Sequence, residues 1–304
     1  MDYILKTDNL CKSYRSFKAL NGLSMNVPKG SIYGFVGKNG AGKTTLIRLI
    51  CGLQEPTSWD YSIYGRRYSS KNIAKSRRRM GAVVETPSIY NDMTALDNLK
   101  LQYRVLGIPD SGGAEEILKL VGLENKGKKK AKNFSLGMKQ RLGIAVALAG
   151  SPDFLVLDEP VNGLDPQGII EIRELILKLN KEKQITFLIS SHILDELSRL
   201  ATHYGFIDGG RIVREISAED LEKSCRKCVR AQVSSTKALA KVLDGMKIEY
   251  KIISDGEADI YEKVNVTKLA LELEKEGCEI ISINERDESL ESYYVNLVGG
   301  GREG

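Results

Sequence analysis

Apolar positions along this chain recur in more than one rhythm, and the changes of rhythm map its organisation. Over residues 1–75 short segments parted by turn residues stand out: Thr7–Tyr14, Leu23–Val27 and, after Pro28-Lys29-Gly30, the apolar Ile32–Val36. Runs of that length bounded by turn formers predict strands. Leu46–Ile50 predicts a helix, Gln54–Ser58 a turn and Met80–Val84 a further strand. From Thr94 to about Ala149 the spacing is helical, broken at Gly107–Pro109, Ser111–Gly113 and Gly122. Phe154–Leu157 is wholly apolar, as suits a strand buried on both faces of a parallel sheet, Ile185–Ile189 reads as another buried strand, and Gly168–Asn180 between them has helical spacing. His203–Asp208 and Arg211–Glu215, joined by Gly209-Gly210, read as a hairpin. The alternation predicts an α/β domain over 1–215, with a parallel central sheet, an antiparallel β region and a helical subdomain at about 86–150.

Past Ile216 the pattern shortens. It reads strand Val229–Ser234, helix Thr236–Met246, strands Glu249–Ile253 and Ala258–Glu262, helix Thr267–Glu276 and strand Glu279–Asn284. This βαββαβ order predicts a small α+β domain over 216–304 of ferredoxin-like type. A last helix, Ser289–Val298, and a glycine-rich tail follow.

Composition narrows the function classes without choosing one. With 42% hydrophobic and 28% charged residues among 304, the chain is ordinary for a globular protein with a proper core. The longest apolar stretch, Leu142–Gly150, is about half of the ~18 residues that suggest a membrane span. The first residues lack a basic region followed by an apolar one, so no signal peptide is expected. A cytoplasmic location follows as an expectation, with any membrane contact made through a partner. The net charge of +5 is modest. Arg77–Arg79 and the five lysines between Lys126 and Lys132 read as solvated faces. Neither carries the interleaved aromatics of a single-strand groove, and no nucleic acid is expected. The five cysteines read as reduced thiols, because Cys225 and Cys228 form one C-x-x-C and only two histidines are available to complete a zinc site.

The strand-like run Ser31–Val36 leads straight into Gly37-Lys38-Asn39-Gly40-Ala41-Gly42-Lys43-Thr44-Thr45. Gly37, Gly42, Lys43 and Thr44 satisfy the G-x-x-x-x-G-K-[ST] phosphate-loop pattern in full. Small residues let backbone N–H groups turn inward as a nest for phosphate oxygens. Lys43 brings a positive charge to the β- and γ-phosphates, and the Thr44 hydroxyl suits Mg²⁺. The helix that follows points its N-terminus at the same anion. A nucleoside triphosphate is the expected ligand.

Phe154-Leu155-Val156-Leu157-Asp158-Glu159 supplies a second half. A buried strand delivers Asp158 to Mg²⁺ at the sheet edge, mostly through water, and Glu159 can polarise an attacking water. His192 follows a buried strand through Ser190-Ser191 and is expected near the γ-phosphate. Tyr14, upstream of the loop, offers a ring on which adenine can stack.

Taken in order, Tyr14, residues 37–45, Phe134–Gln140 (FSLGMKQ), Phe154–Pro160 (FLVLDEP), Asn162–Asp165 and His192 make the chain resemble the ATP-binding subunit of an ABC transporter over about residues 3–215. The resemblance implies Tyr14 as the base-stacking aromatic, Glu159 as general base, His192 as the switch histidine and the loop ending at Asp165 as a dimer contact. It implies Ser135, Leu136, Gly137 and Met138 as the signature segment, which meets the γ-phosphate held by an opposite subunit. It therefore implies a head-to-tail dimer closing on two ATP and Mg²⁺, and a separate integral-membrane permease as partner.

Two departures qualify that resemblance. The signature reads FSLGM where the family form is LSGGQ, keeping Ser135 and Gly137. Glu85 stands where the family usually has glutamine, and its carboxylate is expected within reach of Mg²⁺. Both features, with the Leu290–Val298 ending, look like the bacitracin-resistance and lantibiotic-immunity branch, which handles peptide antibiotics. Trp59, where relatives usually have glycine, has no physical account. Two other readings stay open: a soluble ABC ATPase acting on ribosomes or DNA, and a nucleotide-dependent regulator whose C-terminal domain senses a ligand. A single cassette without sustained heptads speaks against the first. For residues 216–304 a dimer brace is the simpler expectation.

Overall fold

The computed structural model describes residues 2–109, 112–126, 128–225, 228–262, 264–286, 293, 294 and 297, apart from the side chains of Trp59 and Arg286. They form two compact units, Met1–Ala218 and Glu219–Gly304.

The first unit is built on a six-stranded sheet. Strands β3 (Ile32–Val36), β6 (Met80–Val83), β7 (Phe154–Asp158), β8 (Thr186–Ser191), β9 (His203–Asp208) and β10 (Arg211–Ser217) lie in the order β10-β9-β3-β8-β7-β6. All neighbours are parallel except β9 and β10, the expected hairpin. Every residue of β3, β7 and β8 is buried, which explains their largely apolar character, and Asp158, Thr186, Ser190 and Ser191 are buried polar residues within them.

An antiparallel sheet, β2-β1-β4-β5, packs beside it. Here β1 (Tyr3–Tyr14) and β2 (Phe17–Pro28) are longer than their apolar runs, because bulged pairing carries the ladder through polar positions. Strands β4 (Ser58–Ile63) and β5 (Arg66–Arg67) complete it. Helix α1 (Lys43–Ile50) is buried against both sheets through Leu46, Ile47, Leu49 and Ile50, in one core with Leu23, Met25, Phe35 and Val156. It starts at Lys43, three residues before its apolar run, because Gly42 makes the turn into it at φ 114°.

Short α2 (Ile73–Arg77) precedes β6. Three helices, α3 (Ala95–Leu106), α4 (Gly113–Leu120) and α5 (Leu136–Leu148), occupy the connection from β6 to β7. Thr94 and Asp97 form a reciprocal capping box on α3, and the Ser135 side chain caps α5. Helices α6 (Pro166–Lys183) and α7 (Leu194–Ser198) follow β7 and β8. The apolar pattern around α7 is too short to predict a helix.

In the second unit, α8 (Ala218–Ser224) leads into β11 (Cys228–Val233), α9 (Thr236–Met246), β12 (Tyr250–Ser254), β13 (Glu257–Ile260), α10 (Val266–Lys275) and β14 (Ile280–Arg286). The sheet order β12-β13-β11-β14, antiparallel throughout, places β13 between the two strands that α9 connects. That is the split βαβ arrangement of a ferredoxin-like fold. Leu239, Leu243, Leu269 and Leu273 pack on Ala231, Val233, Ala258 and Ile260 as its core. The helix expected over 289–298 falls mostly outside the described residues.

The backbone of α5 lies close on β6: a Cβ on Gly81 would meet the Ala147 carbonyl at 2.3 Å and Leu155 Cδ2 at 2.6 Å. Overpacking there costs about 1–3 kcal/mol. Gly81→Ala is therefore expected to lower the thermal midpoint clearly, and an unchanged midpoint would contradict this packing.

Candidate functional site

Register decides which residues meet. In the parallel ladder Val36 lies opposite Ser191, Asp158 opposite Ser190 and Val83 opposite Leu157. The glycine-rich loop, the acidic pair, His192 and Glu85 therefore leave the sheet at one edge, beyond the carboxyl ends of its strands, where open α/β sheets take ligands.

The loop is wedged against β2 and β9. A Cβ on Gly37 would lie 2.5 Å from Ile207 Cγ2, and one on Gly42 would lie 2.6 Å from the Ala19 carbonyl oxygen. Lys38, Asn39 and Gly40 are exposed, while Ala41, Gly42 and Lys43 are buried and Thr44 and Thr45 half-buried. The Lys43 ammonium, only 6% exposed, donates to the Gly37 and Lys38 carbonyls at 2.6 and 3.3 Å and pairs with Glu159 at 3.3 Å. A charge held so close under exposed backbone of the loop is suited to an anion.

Asp158 ends β7 at 1% exposure. Its Oδ1 accepts from Ser190 Oγ at 2.5 Å, and its Oδ2 is buried without a hydrogen-bond partner among the described residues. An orphaned buried carboxylate oxygen is costly, and a cation is the natural remedy. The donor set of Asp158 with the Thr44 hydroxyl, all oxygen, fits Mg²⁺.

Glu159 sits in the left-handed region, φ 49°. Its N–H donates to Ser190 Oγ at 2.9 Å and to the Ser190 carbonyl at 3.2 Å. Its carboxylate spans Lys43 and His192, with Nδ1 of the ring 2.7 Å away. A carboxylate only accepts, so Nδ1 carries the hydrogen and Nε2 is left for a second partner. Burial, with a smaller contribution from Glu159, holds the nearby Glu196 carboxyl above its usual range, and the Ser191 hydroxyl offsets part of this.

Other expected site residues are placed as follows. Glu85, also left-handed at φ 60°, pairs with Arg48 of α1 at 2.5 Å. Tyr14 ends β1 opposite Phe17, its hydroxyl bonded to Gln54 and its ring 39% exposed beneath the Lys12 ammonium. Ser135 accepts the Met138 N–H at 3.2 Å, and Leu136 is half exposed. Gly137 lies against Leu164 and Gly168, and Asp165 caps α6 by accepting the Gly168 N–H at 3.1 Å. Lys43, Asp158, Glu159 and His192 thus form one cluster, and the 135–138 segment forms another with the loop ending at Asp165. Sequence reasoning missed Ser190, Glu196, Arg48 and Gln54, whose only signal was proximity to a motif.

A buried lysine beneath a phosphate loop, next to an acid that can hold a metal and a second that can take a proton, defines an ATPase of the P-loop class. A family model for the ABC transporter matches residues 20–162. The chain is 43% identical, over the full length of both, to the bacitracin transport ATP-binding protein BcrA of Bacillus licheniformis. It is 45% identical to the lantibiotic transport ATP-binding protein SrtF of Streptococcus pyogenes, over 70% of this chain and 90% of that one. Among solved structures, the dimeric post-hydrolysis state of the ATP-binding cassette MJ0796 bound to ADP and Pi overlays 70% of this chain and 98% of its own, with TM-score 0.63 and 27% identity. The chain belongs to the ABC transporter family, as an ATP-binding and ATP-hydrolysing subunit.

Charge-assisted hydrogen bonds are each worth about 1.5–3 kcal/mol. Lys43→Ala is therefore expected to weaken binding of a fluorescent ATP analogue by about 10- to 100-fold; affinity equal to the parent would remove Lys43 from the phosphate site.

Proposed function

We propose that this chain powers a separate integral-membrane permease that moves a peptide antibiotic of the bacitracin or lantibiotic type. Full-length identity of 43% to a bacitracin transport ATP-binding protein carries this reading. No described helix is long and apolar enough to cross a membrane, in keeping with an ATPase that reaches the cytoplasmic face of the membrane through its permease.

Two ATPase subunits would close head-to-tail on two ATP molecules. The N-terminus of α5, with Ser135, Leu136, Gly137 and Met138, is an anion site that its own loop cluster leaves to be used by the other subunit. The loop ending at Asp165 packs beside it and belongs to the same contact. Residues 216–304 act as an accessory brace.

Within one site, the loop amides of residues 37–42 and Lys43 hold the β- and γ-phosphates, and Tyr14 stacks on adenine. Thr44 and Asp158 would hold Mg²⁺, with Glu85 at the edge of the same site, and the ion would supply neutralising charge on the triphosphate. Lys43 exchanges its Glu159 contact for phosphate oxygens. That leaves Glu159 to take a proton from water as the water oxygen bonds to the γ-phosphorus and the β–γ bridging bond breaks. His192 orients the Glu159 carboxylate through Nδ1 and has Nε2 for the γ-phosphate.

Glu159→Gln removes the proton acceptor but keeps the shape. It is expected to bind ATP, lose at least about 100-fold in turnover and accumulate as a dimer in gel filtration; turnover at the parent rate would refute the general-base role. For the transport reading, the chain expressed with the permease encoded beside it should raise the tolerance of a sensitive host to bacitracin or a lantibiotic. Lys43→Ala should abolish that gain, and no gain with the parent pair would overturn the substrate class.

A further inference from the structure

Ser190 is the second-to-last residue of β8 and is fully buried. A buried hydroxyl must be partnered, and this one is used in both directions. Its O–H donates to Asp158 Oδ1 at 2.5 Å, and its oxygen accepts the Glu159 N–H at 2.9 Å. The first of these distances is that of a strong, charge-assisted bond. The register that sets Asp158 opposite Ser190 makes the pairing a property of the sheet, not of a mobile side chain.

The two acids depend on it unequally. Asp158 has no other hydrogen bond to its carboxylate among the described contacts, since Oδ2 is unpartnered. With that bond, Oδ1 is taken and Oδ2 is the oxygen left over for a cation. Glu159 is held at a left-handed φ of 49°, a conformation that needs its surroundings to fix it. Its N–H is the anchor, shared between the Ser190 hydroxyl and carbonyl. One hydroxyl group therefore sets the carboxylate of one acid and the backbone of the next. Its neighbour serves the other side of the strand end. The Ser191 hydroxyl accepts the Ile193 N–H at 2.9 Å, and the Ser191 carbonyl accepts the Gly37 N–H at 3.3 Å, so the same strand end also anchors the His192 turn and the phosphate loop.

We propose that Ser190 is a positioning residue for ATP hydrolysis, whose hydroxyl orients Asp158 toward the metal ion and Glu159 toward the attacking water together. The proposal rests on the roles given to these two acids above. Alanine keeps the strand and the register but removes donor and acceptor at once, leaving the Asp158 carboxylate with no described partner. Partners that orient a metal ligand typically change affinity or activity by about 10- to 100-fold.

The test compares Ser190→Ala, Ser190→Thr and Glu159→Gln with the parent, by steady-state turnover and by Mg²⁺ titration of binding of a fluorescent ATP analogue. Ser190→Ala is expected to lower kcat by about 10- to 100-fold, raise the Mg²⁺ needed for half-maximal binding and leave metal-free binding within about twofold. Ser190→Thr, which keeps the hydroxyl, should recover part of both losses. Ser190→Ala with parental kcat and Mg²⁺ dependence overturns the proposal. So does a loss of metal-free binding as large as the loss of kcat, since that reports general damage to the site. A folded Ser190→Thr no better than alanine overturns it as well. If Glu159→Gln is inactive while Ser190→Ala is parental, only the role of Ser190 falls. If Glu159→Gln turns over normally, the general-base assignment beneath it falls instead.

Discussion

Parallel pairing of β3, β8 and β7 is the constraint from which the rest of the site follows. Three consecutive strands in the sheet, far apart in sequence, end at the same level because their ladders run in fixed register. Slipping one of them by a residue would turn its buried side chains to the opposite face. Since every position of these strands is buried, a slip would also take Asp158 away from Ser190 and the phosphate loop away from both.

The electrostatics follow from that convergence. Lys43, Glu159 and His192 form a chain of alternating charge and hydrogen-bonding capacity at the sheet edge, with the lysine almost wholly buried. An ammonium has three N–H donors; here it donates to the Gly37 and Lys38 carbonyls and pairs with the Glu159 carboxylate at 3.3 Å. On the proposed reading, a bound triphosphate would compete for the same donors, linking charge on the nucleotide to the freedom of the Glu159 carboxylate. Asp158 shows the complementary imbalance, a buried anion whose second oxygen is matched by nothing in the described chain.

The separation of the site into two clusters has a physical origin in the connection between β6 and β7. The three helices inserted there carry Ser135 at the start of α5, where its side chain caps the helix. Gly137 lies in ordinary van der Waals range of Leu164 and Gly168. The segment 135–138 and the loop ending at Asp165 thus form one surface, distinct from the cluster around Lys43.

Much of this was written in the sequence. Largely apolar runs mark β3, β7 and β8, because strands covered on both faces show no regular polar alternation. The phosphate loop was legible because its chemistry is local: glycines, a lysine and a threonine at fixed spacing do their work within nine residues. The βαββαβ order of the second unit was legible for the same reason, as each element carries its own period. What the sequence could not determine is which side chains answer one another across strands. Ser190 looks like any serine ahead of a histidine until the register sets it beside Asp158. Glu85 is legible as an acid after β6, but only the fold shows that its carboxylate pairs with Arg48, one turn beyond the phosphate loop along α1. Local spacing follows from covalent connectivity and backbone geometry. Contact between residues thirty or more positions apart is decided only when hydrogen-bond register and burial are settled together.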